Sequence, residues 1–126
     1  MHLEPLFDAE WRYASLAVVA SSAAGDGRMY GVGDATISGE RVSGTASWSN
    51  FPRIRGDGAF LPDARGAITT DDGANILFAL SGRAAPAGGH AVHSVVFFAD
   101  GDRYGWLNEI VAVGDGSVDA AAGILR

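Results

Sequence analysis

Residues 58–83 read GAFLPDARGAITTDDGANILFALSGR, and this stretch decides the fold class. Apolar and polar residues alternate with a period of two on both sides of Asp71-Asp72-Gly73. Such alternation predicts β-strands, and Asp and Gly are the residue types that a tight hairpin turn needs. The stretch therefore predicts two antiparallel strands, near 58–70 and 74–83, and gives the adjacent carboxylates at 71 and 72 a structural role.

The same pattern recurs along the whole chain, in short alternating runs separated by clusters of Gly, Asp and Pro. Turn signals at this spacing are typical of an all-β domain. Eight strands are predicted, near 3–12, 14–22, 29–38, 41–48, 58–70, 74–83, 91–99 and 103–113. Eight meandering antiparallel strands favour an up-and-down barrel over residues 1–126, with a β-sandwich as the alternative. The alanine-rich run 14–24 could instead be helical.

Composition excludes several classes of function. The 126 residues carry a formal charge of -6, with nine Arg, no Lys and no Cys. An acidic chain is a poor ligand for a phosphate backbone, so we expect no nucleic-acid partner. Lysine and cysteine chemistry are absent, and the longest low-polarity run is too short for a membrane helix. We expect a cytoplasmic protein with no membrane partner, because the first residues lack the positive charge of a secretory signal.

The predicted strand 103–113 contains the first group of candidate binding residues. In an extended strand Tyr104, Trp106 and Asn108 point to one side. Amphipathic aromatic rings beside an amide are common in small-molecule pockets. The alternative is that the two rings are half-exposed core residues whose polar ends are satisfied.

A second candidate is the pair Asp63 and Arg65, which are two residues apart and so share a face of their strand. Facing solvent, the pair would be an ordinary surface ion pair. Facing a barrel lumen, Arg65 would bind a carboxylate, phenolate or enolate, and Asp63 would act as acceptor or base. Small residues at 67 and 69 on the same face would leave room for a ligand.

His93 is a candidate proton-transfer residue because the unperturbed pKa of histidine lies near neutrality. A lone histidine at the start of a strand is also common at a surface. Trp48 and Phe51 are expected to wall the cavity or plug its end. His90 and His93 fall on opposite faces of a strand, so no metal site is predicted. Without a dinucleotide fingerprint or a serine nucleophile elbow, no cofactor and no covalent catalysis are expected.

Five segments, in the same order, resemble the DUF3237 family, also called UPF0311, of uncharacterised small proteins. They are Leu3–Phe7, Gly39–Gly44, Pro62–Arg65, Thr70–Ile76 and Arg103–Asn108. The resemblance implies a calycin-like antiparallel β-barrel and carries no general reaction or cofactor. The chain departs from the family where an Asp-Trp pair is replaced by Ser47-Trp48 and where Leu80 replaces a polar residue. If those polar groups line the lumen, this member has a more apolar pocket.

These observations favour a cofactor-independent enzyme that binds a small aromatic or polyketide-like molecule in the lumen and transfers a proton, as an isomerase, cyclase or lyase. Arg65 and Tyr104 would stabilise developing negative charge, and Asp63 or His93 would be the base. Asn108 would orient the substrate against Trp48 and Trp106. The alternatives are a non-catalytic carrier or sensor and a barrel filled by its own side chains. A homodimer is as compatible with the sequence as a monomer.

Overall fold

A computed structural model describes residues 4–85, 90–119 and 124–125, and most of these residues lie in β-strands. Within these residues there are ten strands, three of them only two residues long, and two helical turns. The strands are β1 (Asp8–Val19), β2 (Gly27–Ser38), β3 (Gly44–Asn50), β4 (Arg53–Ile54), β5 (Phe60–Leu61), β6 (Asp63–Thr70), β7 (Asn75–Ala84), β8 (His90–Ala99), β9 (Val111–Asp119) and β10 (Ile124–Leu125). Neither helical turn in this part of the chain is long and apolar enough to cross a membrane.

Eight of these strands close into a ring. Each pairs antiparallel with its neighbours in the order β1, β2, β3, β6, β7, β8, β9, β10 and back to β1. Closure leaves the main sheet without a free edge. The predicted all-β, up-and-down barrel is confirmed. The two remaining strands form a small ladder that runs from β2 through β4 and β5 to β7.

The hairpin between β6 and β7 forms as the sequence predicts. The two strands pair from Asp63 with Ser81 to Thr69 with Asn75. Gly73 has a φ of 89°, a left-handed value that favours glycine. The Thr70 hydroxyl accepts a hydrogen bond from the Ala74 amide at 2.8 Å and so fixes the turn from inside.

The first two predicted strands, 3–12 and 14–22, are a single strand, β1. Its pairing with β2 shifts register between Tyr13 and Ser15, which is a β-bulge. A bulge bends a strand without ending it, and therefore the break predicted after residue 12 was wrong. The helical alternative for 14–24 was wrong as well, because pairing with β2 continues to Val19.

The predicted strand 103–113 was also wrong over most of its length. A helical turn, α1 (Gly101–Tyr104), and a 3₁₀ segment (Gly105–Glu109) precede β9. Gly101 has a φ of 78°, which turns the chain out of β8. The period of two in the aromatic residues therefore does not reflect a strand here.

Edge-to-face aromatic contacts fill the centre of the barrel. The Trp11 ring packs against the Trp48 ring at 5.9 Å and against the Phe78 ring at 5.6 Å between centroids. The Trp48 indole also donates a hydrogen bond to the Asp34 carbonyl at 2.7 Å, so its polar atom is satisfied. Toward the hairpin Asp71–Gly73, aliphatic side chains complete the core, among them Ile37, Val42, Ile68, Ile76 and Leu107.

Leu107 provides a test of this packing, because it has 0% exposure although it lies in a 3₁₀ segment. We expect Leu107→Ala to lower the free energy of unfolding by about 2–5 kcal/mol, since it leaves a cavity in a packed core. Leu16→Ala is the matched control, because Leu16 is 53% exposed and should cost less than about 1 kcal/mol. Urea unfolding of both variants measures the difference, and equal costs would contradict the assigned core.

Candidate functional site

One end of the barrel is closed by α1 and the 3₁₀ segment, which we call the cap. The Tyr104 hydroxyl donates to the carboxylate of Asp72, with oxygen distances of 2.9 and 3.0 Å. The Thr70 hydroxyl and the Arg103 guanidinium also donate to Asp72. The hydrogen bond from Thr70, reinforced by Tyr104 and Arg103, lowers the pKa of Asp72. These contacts fasten the cap to the β6–β7 turn.

Asn108 fastens the cap to the end of β8. Its Oδ1 accepts from the Ala99 amide at 2.8 Å, and its Nδ2 donates to the Ala99 carbonyl at 2.6 Å. The side-chain amide thus takes the place of a neighbouring strand. Trp106 donates to the Arg103 carbonyl at 3.0 Å, and Arg41 stacks on its ring at 3.7 Å. Tyr104, Trp106 and Asn108 therefore build the cap, and their predicted common face toward a lumen was wrong.

Asp63 and Arg65 share a face of β6, as their spacing predicts, but it is the outer face. Their side chains are 55% and 78% exposed, and their closest nitrogen and oxygen atoms are 4.0 Å apart. The inward positions of β6 are the buried Ala64 and Ile68, which pack in the core. The predicted placement of this pair in the lumen was wrong, because the interior admits the alternate set of residues.

As far as residues 4–85, 90–119 and 124–125 show, the opposite end of the barrel is open to solvent on one side. There β4 and β5 link β2 to β7 and so cover the ends of β3 and β6. Leu16 and Val18 of β1 pair with Gly31 and Met29, which are buried inward positions of β2. The two side chains face the interior side and are still 53% and 54% exposed. We call this region, bordered by β1, β8 and β9, the open end.

Tyr13 and Asn50 form a hydrogen-bonded pair in this half of the barrel. The backbone amide of Asp63 donates to Asn50 Oδ1 at 3.0 Å, and Asn50 Nδ2 donates to the Tyr13 hydroxyl at 3.2 Å. The first bond orients the amide, so Tyr13 must act as the acceptor of the second. The proton of the Tyr13 hydroxyl then has no acceptor among the described residues. It is free to be donated to a ligand.

The Tyr13 ring lies flat against the barrel wall. Its ring packs edge to face on Trp48 at 4.8 Å between centroids, and a Cβ on Gly31 would collide with it. Burial raises the pKa of Tyr13, and the hydrogen bond from Asn50 only partly opposes this effect. The hydroxyl is consequently protonated at neutral pH and is a donor.

His93 lies on an inward position of β8, between Gly82 of β7 and Gly114 of β9. A Cβ on Gly114 would collide with the imidazole, so the ring lies over a glycine of the neighbouring strand. Burial lowers the pKa of His93, and the charge of Asp115 partly opposes this effect. No described residue hydrogen-bonds the imidazole. His93 is thus a neutral base at physiological pH, in the half of the barrel that opens to solvent.

The last two predicted binding residues, Trp48 and Phe51, lie on opposite sides of the barrel wall. Trp48 faces the interior and is buried in the core, where it forms the floor beneath Tyr13. Phe51 is 47% exposed on the outside, beneath the Arg28 guanidinium at 3.8 Å from the ring centroid. Of the eight predicted site residues, His93 and Trp48 therefore face the interior of the open half.

Sequence reasoning missed Tyr13 and Asn50. Asn50 precedes Phe51-Pro52, and Asn and Pro together indicate a turn. The sequence therefore did not indicate that Asn50 is the last, inward-facing residue of β3. Tyr13 sits two residues after Trp11, and that spacing alone would have placed both rings on one face of β1. The boundary predicted after residue 12 broke this pattern.

Two further observations limit the chemistry. Within the described residues, no three His, Asp or Glu side chains are grouped so that they could hold a metal ion. Outside the barrel, a groove of about 610 Å³ lies beside the cap and is lined in part by Leu77, Phe98 and Asn108. Both ends of the Asn108 amide are committed to Ala99. The open end is therefore the better candidate site.

Solved structures share this fold. A protein of unknown function from Clostridium acetobutylicum superimposes with a TM-score of 0.85 at 17% identity, covering 99% of this chain and 94% of that chain. A β-barrel-like protein from Acinetobacter baumannii gives 0.77 at 18%, covering 99% and 95%. An enzyme from Penicillium herquei gives 0.68 at 21%, covering 99% and 96%. Identities this low establish the fold alone.

Comparison by sequence adds no relative. No protein-family model matches the chain, and no curated protein matches it either. Membership of the DUF3237 family therefore stays a prediction.

The structural role of Asn108 is testable. We expect Asn108→Ala to lower the free energy of unfolding by about 1–3 kcal/mol, because it leaves the Ala99 amide and carbonyl without their partner. Asn75→Ala is the matched control, since the exposed Asn75 makes one long bond to Thr69 at 3.5 Å and should cost less than about 0.5 kcal/mol. Chemical denaturation measures the free energy of unfolding of both variants, and equal losses would contradict the structural role of Asn108.

The burial of His93 predicts a pH dependence of stability. Because its folded pKa is lowered, the unfolded chain binds a proton at higher pH than the folded chain does. Stability is therefore fully present above the unfolded value of about 6.5 and falls as the pH drops toward the folded pKa. Denaturant unfolding between pH 7.5 and 5 should show a smaller loss for His93→Gln than for the parent. The same loss in both proteins would contradict the buried placement.

Proposed function

We propose that the protein is a cofactor-independent enzyme that binds a small, largely apolar carbonyl compound at the open end and moves a proton on it. The observation that carries the proposal is that a neutral base, His93, and a hydroxyl donor whose proton is free, Tyr13, both lie on inward positions in one half of the barrel. Positioned groups of these two kinds are what enolisation requires. This proposal replaces the sequence-based assignment of Asp63, Arg65 and Tyr104 to the chemistry.

The proposed step conserves atoms and charge. His93 removes a proton from a carbon next to the carbonyl group. The electron pair of the broken C–H bond forms a C=C bond to the carbonyl carbon, and the π pair of the C=O bond moves to the oxygen. The Tyr13 hydroxyl donates a hydrogen bond to the enolate oxygen that forms. The imidazolium then returns a proton to the same carbon, which exchanges the hydrogen. Where the enolate is conjugated with a further C=C bond, return of the proton to the far end of that bond isomerises the substrate.

The hydrogen-bond chain strengthens Tyr13 for this role. Asp63 donates its amide to Asn50, which donates to Tyr13. Hydrogen bonds in such a chain polarise one another, so a hydroxyl that accepts one bond becomes a better donor in the next. Charge that develops on a substrate oxygen would then be stabilised by a preorganised donor rather than by water.

The surroundings favour an apolar substrate. Leu16 and Val18 offer an unfilled apolar wall, and Trp48 closes the floor beneath Tyr13. No Arg or Lys is among the residues that define this region, so the substrate needs no carboxylate or phosphate for recognition. The structure from Penicillium herquei that shares this fold is described as an enzyme, so the fold is compatible with catalysis.

The second candidate function is a non-catalytic carrier or sensor at the same open end. Half-exposed Leu16 and Val18 favour binding whether or not a reaction follows. Hydrogen exchange of an enolisable aromatic ketone separates the two functions, because a carrier binds such a molecule without labelling it.

The test uses 2-tetralone in D₂O, with exchange at its acidic carbon followed by proton NMR and binding followed by tryptophan quenching. We expect the protein to accelerate exchange over buffer near neutral pH. His93→Gln should reduce the acceleration by about a hundredfold or more, and Tyr13→Phe by about tenfold or more. His90→Gln and Tyr30→Phe, which change outward-facing residues, are the matched controls and should retain it.

Binding of 2-tetralone that weakens in Tyr13→Phe but brings no acceleration would refute catalysis and leave the carrier. Acceleration that survives in His93→Gln would refute the assigned base. Absence of both binding and acceleration for this ketone would contradict the substrate class.

A further inference from the structure

The outer surface of the barrel is polar on one side and apolar on another. Outward positions of β3 and β6 are Thr45, Ser47, Asp63 and Arg65, as expected for a solvated sheet face. Outward positions of β7, β8 and β9 carry large apolar side chains instead. Six of these apolar residues together form what we call the valine face: Leu77, Val92, Val96, Phe98, Val111 and Val113.

The valine face is contiguous across three strands. Cross-strand pairing puts Leu77 beside Phe98 and Val96 beside Val111. Its members range from 39% to 71% exposed. Soluble proteins rarely leave an apolar patch of several hundred Å² uncovered unless something binds there.

We propose that a second copy of this chain covers the valine face and makes a two-fold symmetric dimer. The pairing register makes the face self-complementary about an axis parallel to β8. Such an axis stacks β8 on β8 of the other copy and β7 on β9 at the same height along the strands. A two-fold interface requires self-complementarity of this kind.

This symmetry places opposite charges of the two copies against each other. Arg83 of β7 and Asp115 of β9 both align with Val92 of β8. The axis therefore sets Arg83 of each copy opposite Asp115 of the other, which gives two reciprocal ion pairs. Opposite charges at matching positions steer association and fix its register.

The same symmetry matches small side chains with large ones. Ala79 aligns with Val96 and Val111, and Ser81 aligns with Ser94 and Val113. The axis then places Val111 over Ala79 and Val113 over Ser81 of the other copy. Packed sheets interdigitate in this way, about 10 Å apart.

Charge also favours a second copy over another partner. Two chains of net charge -6 repel each other, and the face that joins them must carry little net charge. Among the outward residues of β7 and β8, and of residues 111–116 in β9, there are one cation, Arg83, and one anion, Asp115, besides His90.

Sedimentation equilibrium tests the dimer. We expect the parent protein to have twice the chain mass of 13.0 kDa at micromolar concentration. Val113→Asp should raise the dissociation constant by about a hundredfold or more, because it buries a charge opposite Ser81. Val19→Asp is the matched control, since Val19 is 70% exposed on β1 and Val113 is 71% exposed. Circular dichroism establishes that both variants are folded.

A charge reversal tests the orientation. Arg83→Asp alone should weaken the dimer by about tenfold, and Arg83→Asp combined with Asp115→Arg should restore it. A parent protein that stays monomeric at about 100 μM, or a Val113→Asp variant as dimeric as the parent, would overturn the proposal. Failure of the double reversal to restore association would overturn the two-fold axis along β8. All three outcomes are read from association and do not depend on ketone exchange at the open end.

Discussion

The packing of Trp11 against Trp48 and Phe78 divides the interior of the barrel into two halves. A ring of eight strands has room inside for little more than its own side chains. Three large aromatic rings fill its middle, so nothing else can pass from one end to the other. On one side of them, Ile68, Ile76 and Leu107 complete a dry core. On the other side the rings become a floor, and above it lie the polar side chains of Tyr13, Asn50 and His93 and the half-exposed Leu16 and Val18.

The two ends use polar side chains in opposite ways. At the closed end, the Asn108 amide and the carboxylate of Asp72 are consumed by contacts within the chain, which gives stability and leaves nothing for a ligand. At the open end, the chain of bonds through Asn50 stops at the Tyr13 hydroxyl with one proton still to be donated. His93 lies in the same half, and its imidazole has no hydrogen-bond partner among the described residues. Unfinished hydrogen bonding at one end is what makes that end the candidate site.

Much of the fold could be predicted from the sequence, because strand alternation and turn residues are local signals. The β6–β7 hairpin follows directly from Asp71-Asp72-Gly73. Residues 103–109 could not be predicted, because Asn108 replaces a strand through hydrogen bonds to the backbone of Ala99, and strand periodicity does not register such a contact. The spacing of Asp63 and Arg65 shows that they lie on the same face of β6. It does not show which face is inside, because both faces mix small and polar residues. Only closure of the ring decides which of them is inside, and the same is true of Tyr13 and Asn50.

The central claim is that small apolar molecules enter at the open end and nowhere near the cap. Glycine amides give a direct readout by ¹H–¹⁵N NMR, because Gly31, Gly82 and Gly114 line the open half while Gly73 and Gly101 turn at the closed end. Titration with 2-naphthol, which offers an apolar body and one hydroxyl group, should shift the first three amide signals and leave the other two in place. Shifts confined to Gly73 and Gly101, or none at millimolar 2-naphthol, would contradict the account.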